Sequence, residues 1–298
     1  MSSVSFAPPS SSAPAAATPK AAVWQGAALV AALLWAYLPM LKVFADKWLN
    51  DPQYTHGLLV PFFSAYLIRR QSKSGTLVLK PMPFLGCGTL VAILAMRAVA
   101  GALLFQQLDA ASLLLALVGI VLAVGGVPLL KRTGAALAFL CFMIPLPYEL
   151  ERNVGGPLKT AATASSTYLL QALGLPAIRD GNIILIDEVR LGVVDACSGL
   201  KMMVTFAAFS VGAVLLMRRS LFERFMVLLG IVPVAVLTNV LRITATGVSF
   251  NFVTGAGTRD FLHDAYGYAM MPVGMGLLAA ELWVLKRLVV AEPMSAAG

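Results

Sequence analysis

The strongest constraint on this chain is the placement of its charges, which fall in short clusters between long uncharged apolar runs. A run of about 20 apolar residues matches the hydrocarbon thickness of a bilayer, so the pattern predicts a polytopic membrane protein. Only 12% of the residues are charged against 59% hydrophobic, and the mean hydropathy is +0.84. A soluble domain carries about 25% charged residues, which excludes a soluble enzyme, a coiled coil and a disordered scaffold. The net charge of +8 follows the loop clusters rather than a basic patch with interleaved aromatics, so nucleic acid is not an expected partner. Three cysteines without paired spacing argue against a disulfide framework and a thiolate zinc site.

Residues 1–20 are rich in Ser, Pro and Ala and read as a disordered cytoplasmic tail. The first apolar run follows at once, long enough to remain as an anchor rather than be removed as a signal peptide. A membrane domain is expected over 21–287, followed by a short cytoplasmic tail over 288–298, with no internal repeat. The expected fold is all-α, a helical bundle of eight spans: Ala22–Ala45, Tyr54–Ile68, Phe84–Gln106, Ala110–Leu130, Gly134–Pro147, Cys197–Met217, Phe225–Phe250 and Tyr266–Leu285. The second and fifth are short and contain Pro61 and Pro145, so a broken or re-entrant path is the alternative for them.

If all eight cross, one side collects Lys20, Arg69, Arg70, Lys73, Lys80, Lys131, Arg132, Arg218, Arg219, Arg224, Lys286 and Arg287, with only Glu223 and Glu292 acidic. The other side is dominated by acids such as Asp46, Asp51, Asp109, Glu149, Glu151, Asp187, Glu188 and Asp264. The positive-inside rule then puts both termini in the cytoplasm. The one long extracytoplasmic loop, 148–196, holds a Pro-started amphipathic stretch, Pro157–Leu173, expected to lie on the membrane face. Two β-prone runs around Asp187-Glu188 follow, readable as a small hairpin.

This topology brings three reactive side chains from separate helices to one membrane depth. Cys197 opens the sixth span at the outer face, where a helix N-terminus and Lys201, one turn on, favour a thiolate. A small packing cysteine is the equal alternative. Arg242, in TNVLRITATG, costs about 2.5–3.5 kcal/mol in hydrocarbon unless it pairs, and Asn239 shares its face. It suits a fixed cation for a thiolate, a carboxylate or an oxyanion; an ion pair with Asp195 is the structural alternative. His263 is an acid/base partner for a thiol, with Asp260 or Asp264 to orient its ring, and His56 in YTHGLLVP is the rival base or a structural residue. No spacing supports a metal site. Arg97 and Glu281 are further intramembrane charges that could pair with each other or line a transport path.

Three motifs in order, DACSGLK (195–201), NVLRI (239–243) and HDAYGY (263–268), resemble the exosortase/archaeosortase family of integral-membrane cysteine transpeptidases. YTHGLLVPFFSAYLI (54–68), IPLPYELE (144–151) and RDGNIILID (179–187) resemble its early and middle segments. The resemblance implies Cys197, Arg242 and His263 as the catalytic set, with no cofactor. It implies a membrane-anchored protein substrate bearing a C-terminal sorting tail of the Pro-Glu-Pro type, processed at the outer face of a bacterial inner membrane. The competing readings are a non-catalytic component of polysaccharide export or assembly, and a small-solute transporter dependent on Arg97 and Glu281.

Overall fold

The structure is a computed structural model that describes residues 19–73, 79–103, 106–193, 199–217, 219–253 and 255–288. Cys197 and Asp195, and most of both expected tails, lie outside the described residues. The chain divides into two compact units, Met1–Tyr37 with Gly75–Arg132, and Leu38–Ser74 with Thr133–Gly298.

The first unit comprises α1 (Pro19–Ala36), α4 (Pro83–Ala102) and most of α5 (Gln106–Phe139). Pro83 sits in the first turn of α4, where its missing N–H removes no helical bond. The α5 helix is interrupted at Gly126, whose φ of 68° and ψ of −165° are not helical. The chain before α4 lies against that interruption: Lys80 N–H donates to Gly125 O, and Met82 N–H to Leu122 O. A Cβ on Gly126 would meet the Lys80 carbonyl oxygen at 1.9 Å, so glycine is required there for both its dihedral and its space. Arg97 does not pair with Glu281 as its sequence position allowed. Its Nε donates to Asp109 at 3.0 Å, its Nη2 donates to Ala36 O at 2.8 Å, and its guanidinium lies 3.8 Å from the centre of the Tyr37 ring. The nearer acid, twelve residues along the chain, takes the cation.

The second unit contains α2 (Leu38–Asn50), a 3-10 turn (Pro52–Tyr54), α3 (His56–Ser72), the end of α5 with a 3-10 turn (Leu140–Met143), α6 (Tyr148–Ala172) and a three-stranded sheet. Four helices complete it: α7 (Leu200–Leu216), α8 (Leu221–Leu229), α9 (Ile231–Phe252) and α10 (Ala256–Leu288). Ser220 caps α8 by accepting from Glu223 N–H, the start signal of a Ser-x-x-Glu box.

Helix α6 begins at Tyr148, well before Pro157, and places Glu149 and Glu151 in its first turn, where they complement the helix dipole. One of its faces packs on α9. Its small buried residues, Gly155, Ala162, Thr163, Ser166 and Thr167, let it approach α9 closely, and Ser166 donates to Val240 O at 3.3 Å. The sheet is antiparallel in the order β1 (Ala177–Asp180), β2 (Ile183–Ile186), β3 (Val189–Gly192), so the hairpin around Asp187-Glu188 carries a further strand. Ile184, Ile186, Leu191 and Val193 drop into one core with Leu170 of α6 and Val240 and Ile243 of α9. Each fully buried aliphatic side chain there contributes about 1.5–3 kcal/mol against exposure to water.

Span counting differs from the eight runs. Among the described residues four helical stretches are long and apolar enough to cross a bilayer: Pro83–Ala102, Gln107–Met143, Leu221–Phe252 and Gly257–Leu288. Val23–Ala36 with Leu38–Asn50 makes a fifth if taken as one broken span. The break in the Gln107–Met143 stretch falls at Gly126, inside the fourth expected run, and the helix then continues through Lys131-Arg132 into the fifth; α7, at 17 residues, is a shorter apolar helix. Gly126→Ala should lower stability by about 1–3 kcal/mol, read as a lowered thermal midpoint in detergent.

Candidate functional site

Helices α9 and α10 form an antiparallel pair fastened by side chains. Near the turn, Arg259 of α10 donates to the carbonyls of Val253 (2.7 Å) and Phe250 (3.2 Å), satisfying orphan acceptors at the α9 C-terminus. Ser249 and Tyr266 share a hydroxyl–hydroxyl bond. Between the same helices, Arg242 Nη2 lies 3.3 Å from His263 Nε2.

Arginine only donates, so His263 Nε2 must accept, and the neutral ring carries its proton on Nδ1. Arg242 is 4% exposed, and its Nε and Nη1 have no hydrogen-bond partner among the described residues. A buried guanidinium with donors to spare fits an anion or a developing oxyanion. The group lines a small cleft with His263, Thr246 and residues Leu191–Val193 at the end of the sheet. Gly267, one turn after His263, makes room for it: a Cβ there would lie 3.2 Å from Arg242 Nη2. The sequence pattern missed Gly267, although it stands in the HDAYGY motif.

Asn239 is 1% exposed and meets Gly199, the residue before α7. Gly199 has a φ of 80°, and a Cβ on it would come within 3.0 Å of Asn239 Nδ2. Gly199 therefore leads into α7 directly beside the face of α9 that carries Arg242. Gly199 has the φ and the clearance of a position that only glycine fills without strain.

The Nζ of Lys201 is 3.0 Å from Asp51 and 5.1 Å from the centre of the Tyr54 ring, while Cys197, the partner its spacing suggested, lies outside the described residues. Tyr54 in turn donates to Glu151 at 2.9 Å and accepts from Leu146 N–H at 3.2 Å. Burial first, then the Glu151 carboxylate, raises the Tyr54 phenol well above its ordinary value, so it remains a donor. This network ties the 3-10 turn to α6 and α7.

His56, the rival base, is 5% exposed, and both of its ring nitrogens are occupied. Nε2 stands 3.2 Å from Phe142 O, which can only accept, and Nδ1 stands 2.9 Å from Thr205 Oγ1. Nε2–H donates to the carbonyl, and Nδ1 shares a hydrogen bond with the Thr205 hydroxyl, which also lies 3.0 Å from Gln53 O and 3.2 Å from Lys201 O. Thr205, one turn after Lys201, is the partner that sequence reasoning missed. Below His56, α3 and α7 enclose an apolar groove of about 440 Å³ lined by side chains such as Leu59, Phe63, Phe139 and Phe209. Apart from His56 at its edge, its lining carries no titratable side chain.

Asp264 and Asp260 supply the negative charge nearest to His263. Among the described residues no three His, Cys, Asp or Glu side chains gather into a metal site. Glu281 packs its carboxylate against Gly230, leaving Oε2 buried and without a hydrogen-bond partner among the described residues.

A largely helical chain with several membrane-length helices, carrying a buried arginine against a half-buried histidine beside a short sheet, defines a polytopic membrane protein with a polar site set among its helices. The model of the transmembrane exosortase family (Exosortase_EpsH) matches residues 48–280, and the chain belongs to that family. No curated protein and no solved structure matches it. His56→Ala removes two buried hydrogen bonds and should lower stability by about 1–3 kcal/mol, measured by thermal unfolding. Its effect on activity should follow the folded fraction, and a folded but inactive variant would return His56 to the catalytic set.

Proposed function

We propose that the protein is a membrane-embedded cysteine transpeptidase or protease that cleaves the C-terminal sorting tail of exported, membrane-anchored proteins at the outer face of a bacterial inner membrane. The observation that carries this reading is the buried Arg242, with two donors that have no partner among the described residues, beside His263 in one cleft. Family membership supports the substrate class, a protein with a short recognition motif of the Pro-Glu-Pro type, one apolar helix and a basic cytoplasmic end. Chain connectivity supports the nucleophile. Cys197 is two residues from Gly199, no more than about 7 Å of extended chain, and Gly199 abuts the helix that carries Arg242.

In this mechanism His263 Nε2 exchanges its hydrogen bond from Arg242 Nη2 for the Cys197 proton, and the thiolate attacks the scissile carbonyl carbon. The carbonyl oxygen becomes an oxyanion that the free Arg242 donors stabilise. As the tetrahedral intermediate collapses, the C–N bond breaks and the imidazolium gives its proton to the departing amine, releasing the anchor helix. The acyl group is left as a thioester on Cys197. Water or an acceptor amine then attacks it, His263 takes that proton, and the thiol is regenerated. Asn239 and Lys201 have supporting roles, Asn239 by holding the entry to α7 and Lys201 by fixing the 3-10 turn through Asp51. Asp195 and Asp264 complete the supporting set, with Asp264 biasing the His263 ring.

Co-expression with a reporter that carries such a tail, followed by gel mobility, tests this. Cys197→Ala and His263→Ala should abolish processing, and Arg242→Gln should slow it by about 10²-fold or more. Processing that survives loss of Cys197 would instead favour a non-catalytic component of polysaccharide export or assembly. Both termini are assigned to the cytoplasm, which protease protection of terminal tags would check.

A further inference from the structure

The last strand of the sheet has a free edge at the Arg242–His263 cleft, and its backbone phase can be derived. In an antiparallel ladder, alternate residues exchange both main-chain bonds with the neighbouring strand, while those between them turn N–H and C=O away. The two-residue turn Asp187-Glu188 closes on the pair Ile186 and Val189, which sets the phase of β3. Val189 and Leu191 therefore face β2, and Val193 continues the phase by donating to Asn182 O at 2.9 Å. Arg190 and Gly192 turn their N–H and C=O outward.

Both residues are exposed, and among the described residues no strand pairs with that edge. Gly192 adds no side chain to it, and nothing lies within 4 Å of where its Cβ would stand. Natural proteins usually blunt such an edge, because it templates another strand. Here the edge is only four residues long and carries Arg190, which disfavours chance pairing, and Leu191, Gly192 and Val193 line the same cleft as the Arg242 donors that have no partner among the described residues.

We propose that an extended segment of the exported substrate adds to β3 as a fourth strand, held by the outward main-chain groups of Arg190 and Gly192. This pairing delivers the substrate's peptide bond to Arg242 and His263. The inference rests on the proposed function and names how that site recognises its substrate. Main-chain pairing explains capture of an extended segment independently of most of its side chains, and the neighbouring cleft reads the few that reach Arg242. Continuity of edge and cleft also commits the occupant, since a strand laid on β3 runs past the buried guanidinium.

The test uses the full chain in membranes with a photo-cross-linking phenylalanine analogue at position 190, in a Cys197→Ala background. The tagged reporter carries the sorting tail. A cross-link to the reporter, mapped to the residues just before its apolar helix, is expected. A cross-link only to a second copy of the chain, or none, would overturn the proposal. In the Cys197 form, Arg190→Pro removes one outward N–H at an edge position where proline is tolerated, and should slow processing about tenfold at limiting reporter. Arg179→Pro makes the matching change on the opposite edge, at β1, and should leave processing within about twofold. Equal effects of the two prolines would also overturn the proposal. Cross-linking needs no turnover, so a reporter captured at position 190 of the Cys197→Ala chain but never processed by the Cys197 form would sink the transpeptidase reading and leave the edge standing.

Discussion

A guanidinium that stays charged at any accessible pH is held 4% exposed inside α9, and much of the second unit is arranged around it. Burying such a group is costly unless its donors are met. Here Nη2 is met by His263, Gly267 opens the space, and Nε and Nη1 have no hydrogen-bond partner among the described residues. The fastening of α9 to α10 through Arg259 and through Ser249–Tyr266 keeps the pair in register. Stability and function meet at this point, because a site that is incompletely satisfied when empty gains most from an anionic guest.

Around this centre the unit divides its polar groups into holding and reacting sets. Asp51, Lys201, Tyr54, Glu151, His56 and Thr205 form bonds that close on one another and join the 3-10 turn to α3, α6 and α7. Their donors and acceptors are largely used, which suits a scaffold. Arg242 has donors left over, which suits chemistry. The distinction is one of hydrogen-bond accounting, and it separates the two histidines: His56 is bonded at both nitrogens to groups of that scaffold, whereas His263 Nε2 faces the cleft beside Arg242.

Much of the site was legible in the sequence because ionisable residues in apolar runs are conspicuous. Arg242, Asn239 and His263 stood out for that reason, and the structure brings Arg242 against His263 and Asn239 against the entry to α7. Partner choice was not legible. Lys201 lies one turn from Cys197 in sequence, yet its charge goes to Asp51, 150 residues away. Arg97 turned to Asp109 because α4 and α5 are neighbours, a fact that the pattern of apolar runs does not encode. The space-making glycines, Gly199 and Gly267, carry no chemical signal of their own. The span count was the least legible feature, since loop charges were used to divide a helix that continues through Lys131-Arg132 and breaks instead at Gly126, where only a dihedral angle marks the interruption.

The central claim is that the thiol of Cys197 becomes acylated by the substrate beside Arg242 and His263. Acid-quenched samples of the chain turning over the tail-bearing reporter, digested and read by mass spectrometry, address it most directly. The account predicts a reporter-derived acyl group on the peptide containing Cys197, removed by neutral hydroxylamine as a thioester is. An acyl group on another residue, or unmodified Cys197 throughout steady processing, would contradict it.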